Sequence, residues 1–181
     1  MPISLAMRVI AALWVVFLVY WWLIAARNVK QTETKEGVAS RAANRILVVV
    51  GAVLLFEGRW TAAWRLSSRF VQPGPGVETA GVLVVVAGIL VALWARRHLG
   101  RNWSGIPALK VNHELIRTGP YAYLRHPIYV GLGIALAGTA LAEGVWRGGV
   151  GALIICFAFW RKARLESAFL ARRFGPEAEQ R

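Results

Sequence analysis

The residues best equipped for chemistry crowd into one short stretch, Gly119-Pro120-Tyr121-Ala122-Tyr123-Leu124-Arg125-His126-Pro127-Ile128-Tyr129-Val130-Gly131. It holds three of the chain's four tyrosines, two of its seven prolines, one of its three histidines and an arginine, with apolar runs on both sides. Gly119-Pro120 is a turn signal. Pro127 biases His126 away from helical geometry and itself suits the first turn of a following helix. Arg125 and His126 are therefore expected at the mouth of a helix. Unpaired backbone N–H groups and the positive dipole end favour an anion there, and Arg125 adds a permanently charged fork of donors. Taken singly, Arg125 reads as a membrane-surface anchor, His126 as a helix cap, and Tyr121, Tyr123 and Tyr129 as an interfacial belt. The density of the set points instead to a site for a carboxylate or phosphate.

A second feature lies near the C-terminus. Glu166 is the only acid between Glu143 and Glu177, surrounded by Arg161, Lys162, Arg164, Arg172 and Arg173. It reads either as an ion-paired surface carboxylate or, if it shares a membrane face with Arg125, as a group able to hold an ammonium. Other chemistries find no support. There is no glycine-rich dinucleotide fingerprint after a strand and no phosphate-binding loop. His98, His113 and His126 lack metal-ligand spacing. The chain contains no aspartate and no G-x-S-x-G. The single cysteine, Cys156, allows neither an intrachain disulfide nor a cysteine-based metal site.

The elements that must position these residues read as membrane helices. Hydrophobic residues make up 57% of the 181 and charged residues 17%, and the apolar residues fall in blocks. The net charge of +13 sits between those blocks, as in loops facing anionic lipid, which argues against nucleic-acid binding. Nine tryptophans suit interfacial anchoring. A first span is expected over 5–26, retained rather than cleaved as a signal peptide. A polar connector over 31–45 leads to a short apolar element over 46–56, with a possible extension to 66. After the break at 72–76 comes a strong span over 77–95. Apolar runs at 128–142 and 149–160 suggest a helical hairpin, followed by a charged helical tail ending near Gly175-Pro176. With five spans and the N-terminus outside, 17 of the 22 lysines and arginines fall on the inner side. That places Arg125 and the tail together on the cytoplasmic face. The expectation is an all-α, polytopic membrane protein, one domain over 1–181. Its N-terminal spans cover 1–95, and a loop, hairpin and tail over 96–181 carry the chemistry.

The central stretch, preceded by Leu99-Gly100-Arg101-Asn102-Trp103-Ser104, resembles the isoprenylcysteine carboxyl methyltransferase family and the related phospholipid methyltransferases, which are integral membrane enzymes. The matching motifs are His113-Glu114-Leu115-Ile116, Gly119-Pro120-Tyr121, Arg125-His126-Pro127-Ile128-Tyr129-Val130-Gly131, and Glu166 with Phe174-Gly175. The resemblance spans about residues 95–176. It implies S-adenosylmethionine as methyl donor. The cofactor site would be lined by His113, Glu114, Leu115, Ile116, Gly119, Tyr121, His126, Pro127, Ile128 and Tyr129, with Glu166 at the cofactor's amino-acid end. Arg125, His126 and Glu166 become the catalytic candidates, and Arg125 and Lys162 the substrate-binding ones. The implied acceptor is lipid-like or prenylated, reached from the bilayer; no metal is implied, and oligomeric state is not readable. The sequence departs from the family pattern at Ser167, where a second acid is common, at Lys162, where some members carry arginine, and after Gly175. Two alternatives share these features. One is an NADPH-dependent sterol-reductase-like enzyme, which usually has asparagine at the position of Ile128. The other is a non-catalytic membrane scaffold of the same fold.

Overall fold

The computed structural model describes residues 4–27, 32–56, 65–100, 103, 108–110 and 116–175. The expectations for His113, Glu114 and Leu115, and for an extension of the second element through 57–64, lie outside the described residues. Five helices carry the fold: α1 (Leu5–Arg27), α2 (Val38–Phe56), α3 (Pro75–Leu99), α4 (Pro127–Glu143) and α5 (Trp146–Phe174). Two short strands, β1 (Thr32–Lys35) and β2 (Ala108–Lys110), pair antiparallel, with Thr32 opposite Lys110 and Lys35 opposite Ala108.

The chain is an all-α polytopic membrane protein with this one small ribbon added. α1, α2 and α3 are long and apolar enough to cross a bilayer, and α4 is a shorter apolar helix of 17 residues. At a rise of about 1.5 Å per residue, the 23 residues of α1 exceed the roughly 30 Å of a hydrocarbon core. Large apolar side chains stand exposed along α1 (Val15, Val16, Val19), α3 (Leu83, Leu90) and α5 (Leu153, Phe157), as lipid contact requires.

Two expected boundaries move. α2 begins at Val38, inside the stretch read as a polar connector; its length comes from the N-terminal side. The expected span at 149–160 and the charged tail are one continuous helix of 29 residues. No proline or glycine interrupts it after Gly151, so nothing breaks the hydrogen-bond ladder where polarity changes at Arg161.

α3 is the centre of the bundle, between α1 and α4; α5 lies against α4 on one side and α2 on the other. The α3–α4 seam is made of small residues. A Cβ added at Gly138 would lie 2.7 Å from both the Gly81 carbonyl oxygen and the Val85 nitrogen, and one at Gly131 2.6 Å from the Ala92 nitrogen. The two backbones touch, which suits helices that associate in lipid by close packing. Ile10, Phe17, Val85, Ile89, Ala92 and Ala135 form the core that α1 shares with this seam. Trp14 of α1 donates its indole N–H to the buried Thr139 hydroxyl of α4 at 3.0 Å.

α4 turns into α5 at Gly144, whose left-handed backbone (φ 71°) only glycine adopts at little cost. Arg147, buried, donates to the Leu54 carbonyl oxygen of α2 at 2.8 Å and pairs with Glu143 one turn before it. This staple ties α2, α4 and α5 together at one end of the bundle. The chemistry-bearing residues lie at the other.

Candidate active site

Gly119–Ala122 forms a single 3-10 turn entered at Gly119 (φ 58°), and α4 starts at Pro127 with His126 as its N-cap. The turn rests on the end of α3. The His98 ring lies where a Cβ of residue 119 would be, 2.6 Å from its nearest ring atom, and His98 Nε2 meets the Thr118 hydroxyl at 2.8 Å. This contact sets where Tyr121 emerges.

His126 and Tyr129 are three residues apart and share the face of α4 turned toward α5. Tyr129 donates its hydroxyl to Glu166 Oε1 at 2.6 Å. His126 Nε2 meets the Ser167 hydroxyl at 2.9 Å, and its Nδ1 lies 3.7 Å from Glu166 Oε2. On α5, Phe159, Lys162 and Glu166 follow helical spacing along one face. Phe159 stacks on Tyr129 with ring centres 5.6 Å apart, and the Lys162 ammonium sits 5.9 Å from the Tyr129 ring centre. The corner at Arg125-His126-Pro127 and the lone tail glutamate, some forty residues apart in sequence, thus form one cluster. The anion that comes to the mouth of α4 is the protein's own Glu166.

Burial governs the charges. It pushes the His126 imidazole down to about 4, with the Arg125 cation acting in the same direction. His126 is therefore neutral at pH 7, and its contact with Glu166 is polar rather than an ion pair. A neutral ring with its proton on Nδ1 would turn that proton toward the carboxylate 3.7 Å away and leave Nε2 to accept from Ser167. Burial raises the Glu166 carboxyl; the Tyr129 hydroxyl and Lys162 oppose this, and Glu36 adds to it. The Lys162 ammonium is lowered by burial and held up by Glu166 and Glu36. The Tyr121 phenol is raised by burial and by Glu166, against the pull of Arg96.

The structure therefore brings His126, Tyr129 and Glu166 together, with the Lys162 ammonium over the Tyr129 ring and Tyr121 within electrostatic reach. Arg125 is exposed beside them. Pro127 and Ile128 are buried in the first turn of α4 and shape the backbone, while Gly119 is the hinge of the 3-10 turn. Ile116 is half-buried at the start of that segment.

Sequence reasoning missed three participants. Ser167, noted only as a departure from a second acid, is the partner of His126. Glu36, just after β1, is buried at 7% exposure and accepts from the Ser40 hydroxyl at 2.5 Å. It lies close enough to shift Lys162 and Glu166. Arg96, one residue past the expected end of the span over 77–95, is turned inward and 2% exposed.

The profile of the phospholipid methyltransferase family matches residues 77–177, from the start of α3 to just past the end of α5. Protein-S-isoprenylcysteine O-methyltransferase of Schizosaccharomyces pombe is 37% identical over 87 residues, 45% of this chain and 36% of that protein. Cobalt-zinc-cadmium resistance protein CzcN of Cupriavidus metallidurans is 30% identical over 135 residues, 74% of this chain and 55% of that protein. Nickel-cobalt-cadmium resistance protein NccN of Alcaligenes xylosoxydans xylosoxydans is 28% identical over 133 residues, covering 72% and 55%. The chain spans about half or less of the length of these curated relatives. The family match takes in α3, the 3-10 turn and the whole α4–α5 hairpin that builds the cluster, and the chain belongs to the phospholipid methyltransferase family of membrane methyltransferases.

Proposed function

We propose that this protein transfers a methyl group from S-adenosylmethionine to a lipid-like acceptor at the membrane surface, an isoprenylcysteine-type carboxylate being the acceptor class. The observation that carries the reading is the 2.6 Å contact of Tyr129 with Glu166, which joins the α4 corner to the tail. The residues present suit the methyl donor. Glu166 offers a carboxylate to an ammonium, and Tyr129, stacked on Phe159, and Tyr121 offer ring faces to a sulfonium, each good contact being worth roughly 0.5–2 kcal/mol.

When bound, S-adenosylmethionine supplies an electrophilic methyl whose S–CH3 bond breaks as the acceptor's O–CH3 bond forms, with no proton to remove from a carboxylate. The chain's own task is then orientation and exclusion of water. Positioning of reactants can contribute on the order of 7–11 kcal/mol. His126 serves by holding Glu166 and Ser167 in place. Arg125 and Lys162 offer cations to the acceptor. The bundle end that holds this cluster also gathers the C-terminal ends of α1 and α3, with Arg97 donating to the Tyr20 hydroxyl at 3.3 Å. The excess of arginine and lysine in the segments flanking that end supports a cytoplasmic placement, with the N-terminus outside. A soluble donor and a membrane-borne acceptor then each reach the site from their own phase.

The test is thermal stabilisation of the purified protein by S-adenosylhomocysteine compared with NADPH, followed by incubation with labelled methyl donor and a membrane-lipid extract. Stabilisation by S-adenosylhomocysteine and a labelled lipid are expected. Stabilisation by NADPH alone would overturn the reading in favour of a reductase.

A further inference from the structure

Arg96 stands apart from the other cations among the described residues. It lies in the last turn of α3, 2% exposed, and is the largest fully buried side chain among the described residues. Its Nη1 donates to the Gly100 carbonyl oxygen at 3.0 Å. The Trp103 ring covers the guanidinium with 4.2 Å from Cζ to its centre, and Trp21 of α1 closes a second side at 5.8 Å. Trp21 and Trp103 themselves meet edge to face at 5.4 Å. Nε and Nη2 are buried with no hydrogen-bond partner, and no carboxylate among the described residues pairs with Arg96.

The identity of the two orphaned atoms matters. Nε–H and Nη2–H lie on one edge of the planar guanidinium and point the same way. That edge is the two-donor fork that matches the two oxygens of a carboxylate or phosphate. The anchored Nη1 and the tryptophan faces fix the plane, so little freedom is lost when the fork is filled. A buried guanidinium left without a counter-charge is unfavourable, and an incoming anion relieves that cost.

Resting on the proposed methyl transfer, we infer that Arg96 is the residue that grips an anionic group of the membrane-borne acceptor, a carboxylate or a phosphate, through its Nε–Nη2 edge. Two placements support the assignment to the acceptor. Trp21 belongs to α1, an apolar helix long enough to cross a bilayer, so a membrane helix walls the Arg96 box together with α3. The 3-10 turn bearing Tyr121 packs on the end of α3, and Arg96 and Glu166 act on Tyr121 with opposite sign. A carboxylate held by the fork keeps a further lone pair on each oxygen, so binding leaves it able to attack a methyl group.

The experiment uses the full-length protein in detergent or nanodiscs without methyl donor, and two acid–neutral probe pairs. These are an S-prenylated N-acetylcysteine with its methyl ester, and phosphatidic acid with diacylglycerol. The wild type is expected to bind at least one acid about 10- to 100-fold more tightly than its neutral partner, as loss of charge-assisted hydrogen bonds predicts. The pair that shows the preference identifies carboxylate or phosphate. In Arg96→Gln the preference should vanish, and in Arg96→Lys it should fall while remaining measurable. S-adenosylhomocysteine binding should change less than about threefold in both. Equal binding of acid and neutral probes by the wild type would overturn the inference, and requires no variant to fold. So would a variant that keeps the preference, or one that loses S-adenosylhomocysteine binding with the preference intact. Absence of S-adenosylhomocysteine binding in the wild type would instead overturn the methyl-transfer reading and leave the probe result to stand alone.

Discussion

Replacing Glu166 by glutamine isolates the charge at the centre of the site. The amide keeps the size of the carboxylate and still offers an oxygen to the Tyr129 hydroxyl, now 2.6 Å from Oε1. What disappears is the attraction between a carboxylate and a bound ammonium or sulfonium. Two unit charges about 4 Å apart interact by roughly 4 kcal/mol at an effective dielectric near 20. The Glu166 side chain is 25% exposed, so solvent screening reduces this, and a loss of about 2 kcal/mol is the expected outcome. That corresponds to roughly a 30-fold weaker dissociation constant for S-adenosylhomocysteine. The assay is calorimetric or tryptophan-fluorescence titration of the detergent-solubilised protein. Tyr129→Phe is the comparison: it leaves the carboxylate in place and removes one hydrogen bond, worth about 0.5–1.5 kcal/mol net or somewhat more to a charged acceptor. The order expected is Glu166→Gln weakest, Tyr129→Phe intermediate, wild type strongest. A Glu166→Gln variant that folds and binds within threefold of wild type would refute the assignment of Glu166 to the cofactor.

Three further outcomes follow from the geometry. His126 should titrate near pH 4 by imidazole NMR; because its folded value lies below its usual 6.5, it contributes stability at neutral pH that is lost as pH falls through 6.5 toward 4, about 3 kcal/mol at most, while the raised Glu166 carboxyl pulls the opposite way. Arg147→Met should destabilise the fold by about 3–5 kcal/mol in thermal or denaturant unfolding, because it strands Glu143 and the Leu54 carbonyl, and adding Glu143→Gln should recover part of the loss. Gly138→Ala should cost about 1–3 kcal/mol by forcing the α3 and α4 backbones apart, whereas Gly149→Ala, where a Cβ meets nothing within 4 Å, should be neutral or better in the same assay.

What the sequence revealed and what it hid divide along a physical line. Hydropathy alone located α1 and α3, since span length is a local property. Pro127 placed the start of α4 at the right residue, and Gly175 marked the end of α5. The polarity changes at Arg161 but the helix runs on, as the helical spacing of the charged tail suggested, because a helix continues through a change of solvent as long as its backbone ladder is unbroken. The pairing of His126 and Tyr129 with Glu166 was reachable only through family resemblance; no spacing rule connects residues on two different helices. Glu36 and Arg96 were hidden for the same reason. Each sits in a segment rich in ordinary charged residues, and only tertiary packing distinguishes Arg96 from Arg97. The trace that was available is the seven-residue interval of Gly81 and Gly88, repeated by Gly131 and Gly138, which marks two helices built to touch.

The site and the staple lie at opposite ends of one hairpin, and this arrangement bears on precision. From Pro127 to Glu143, α4 runs roughly 25 Å. A slip of one residue between α4 and α5 turns a side chain by about 100° around the helix axis, which would carry Tyr129 away from Glu166 and His126 away from Ser167. Register is therefore what the cluster needs most. Glu143 and Arg147, four residues apart across Gly144, fix it where the hairpin turns, and the Arg147 bond to Leu54 carries the constraint into α2. Along the length of α4, the Gly131 and Gly138 contacts lock it to α3, whose last turn holds Arg96 and supports the 3-10 turn under Tyr121. The catalytic candidates on α4 and α5 and Arg96 on α3 are thus set by backbone-to-backbone seams rather than by loops. A scaffold of that kind can hold a donor and an acceptor in line while leaving the lipid-facing side chains free to vary.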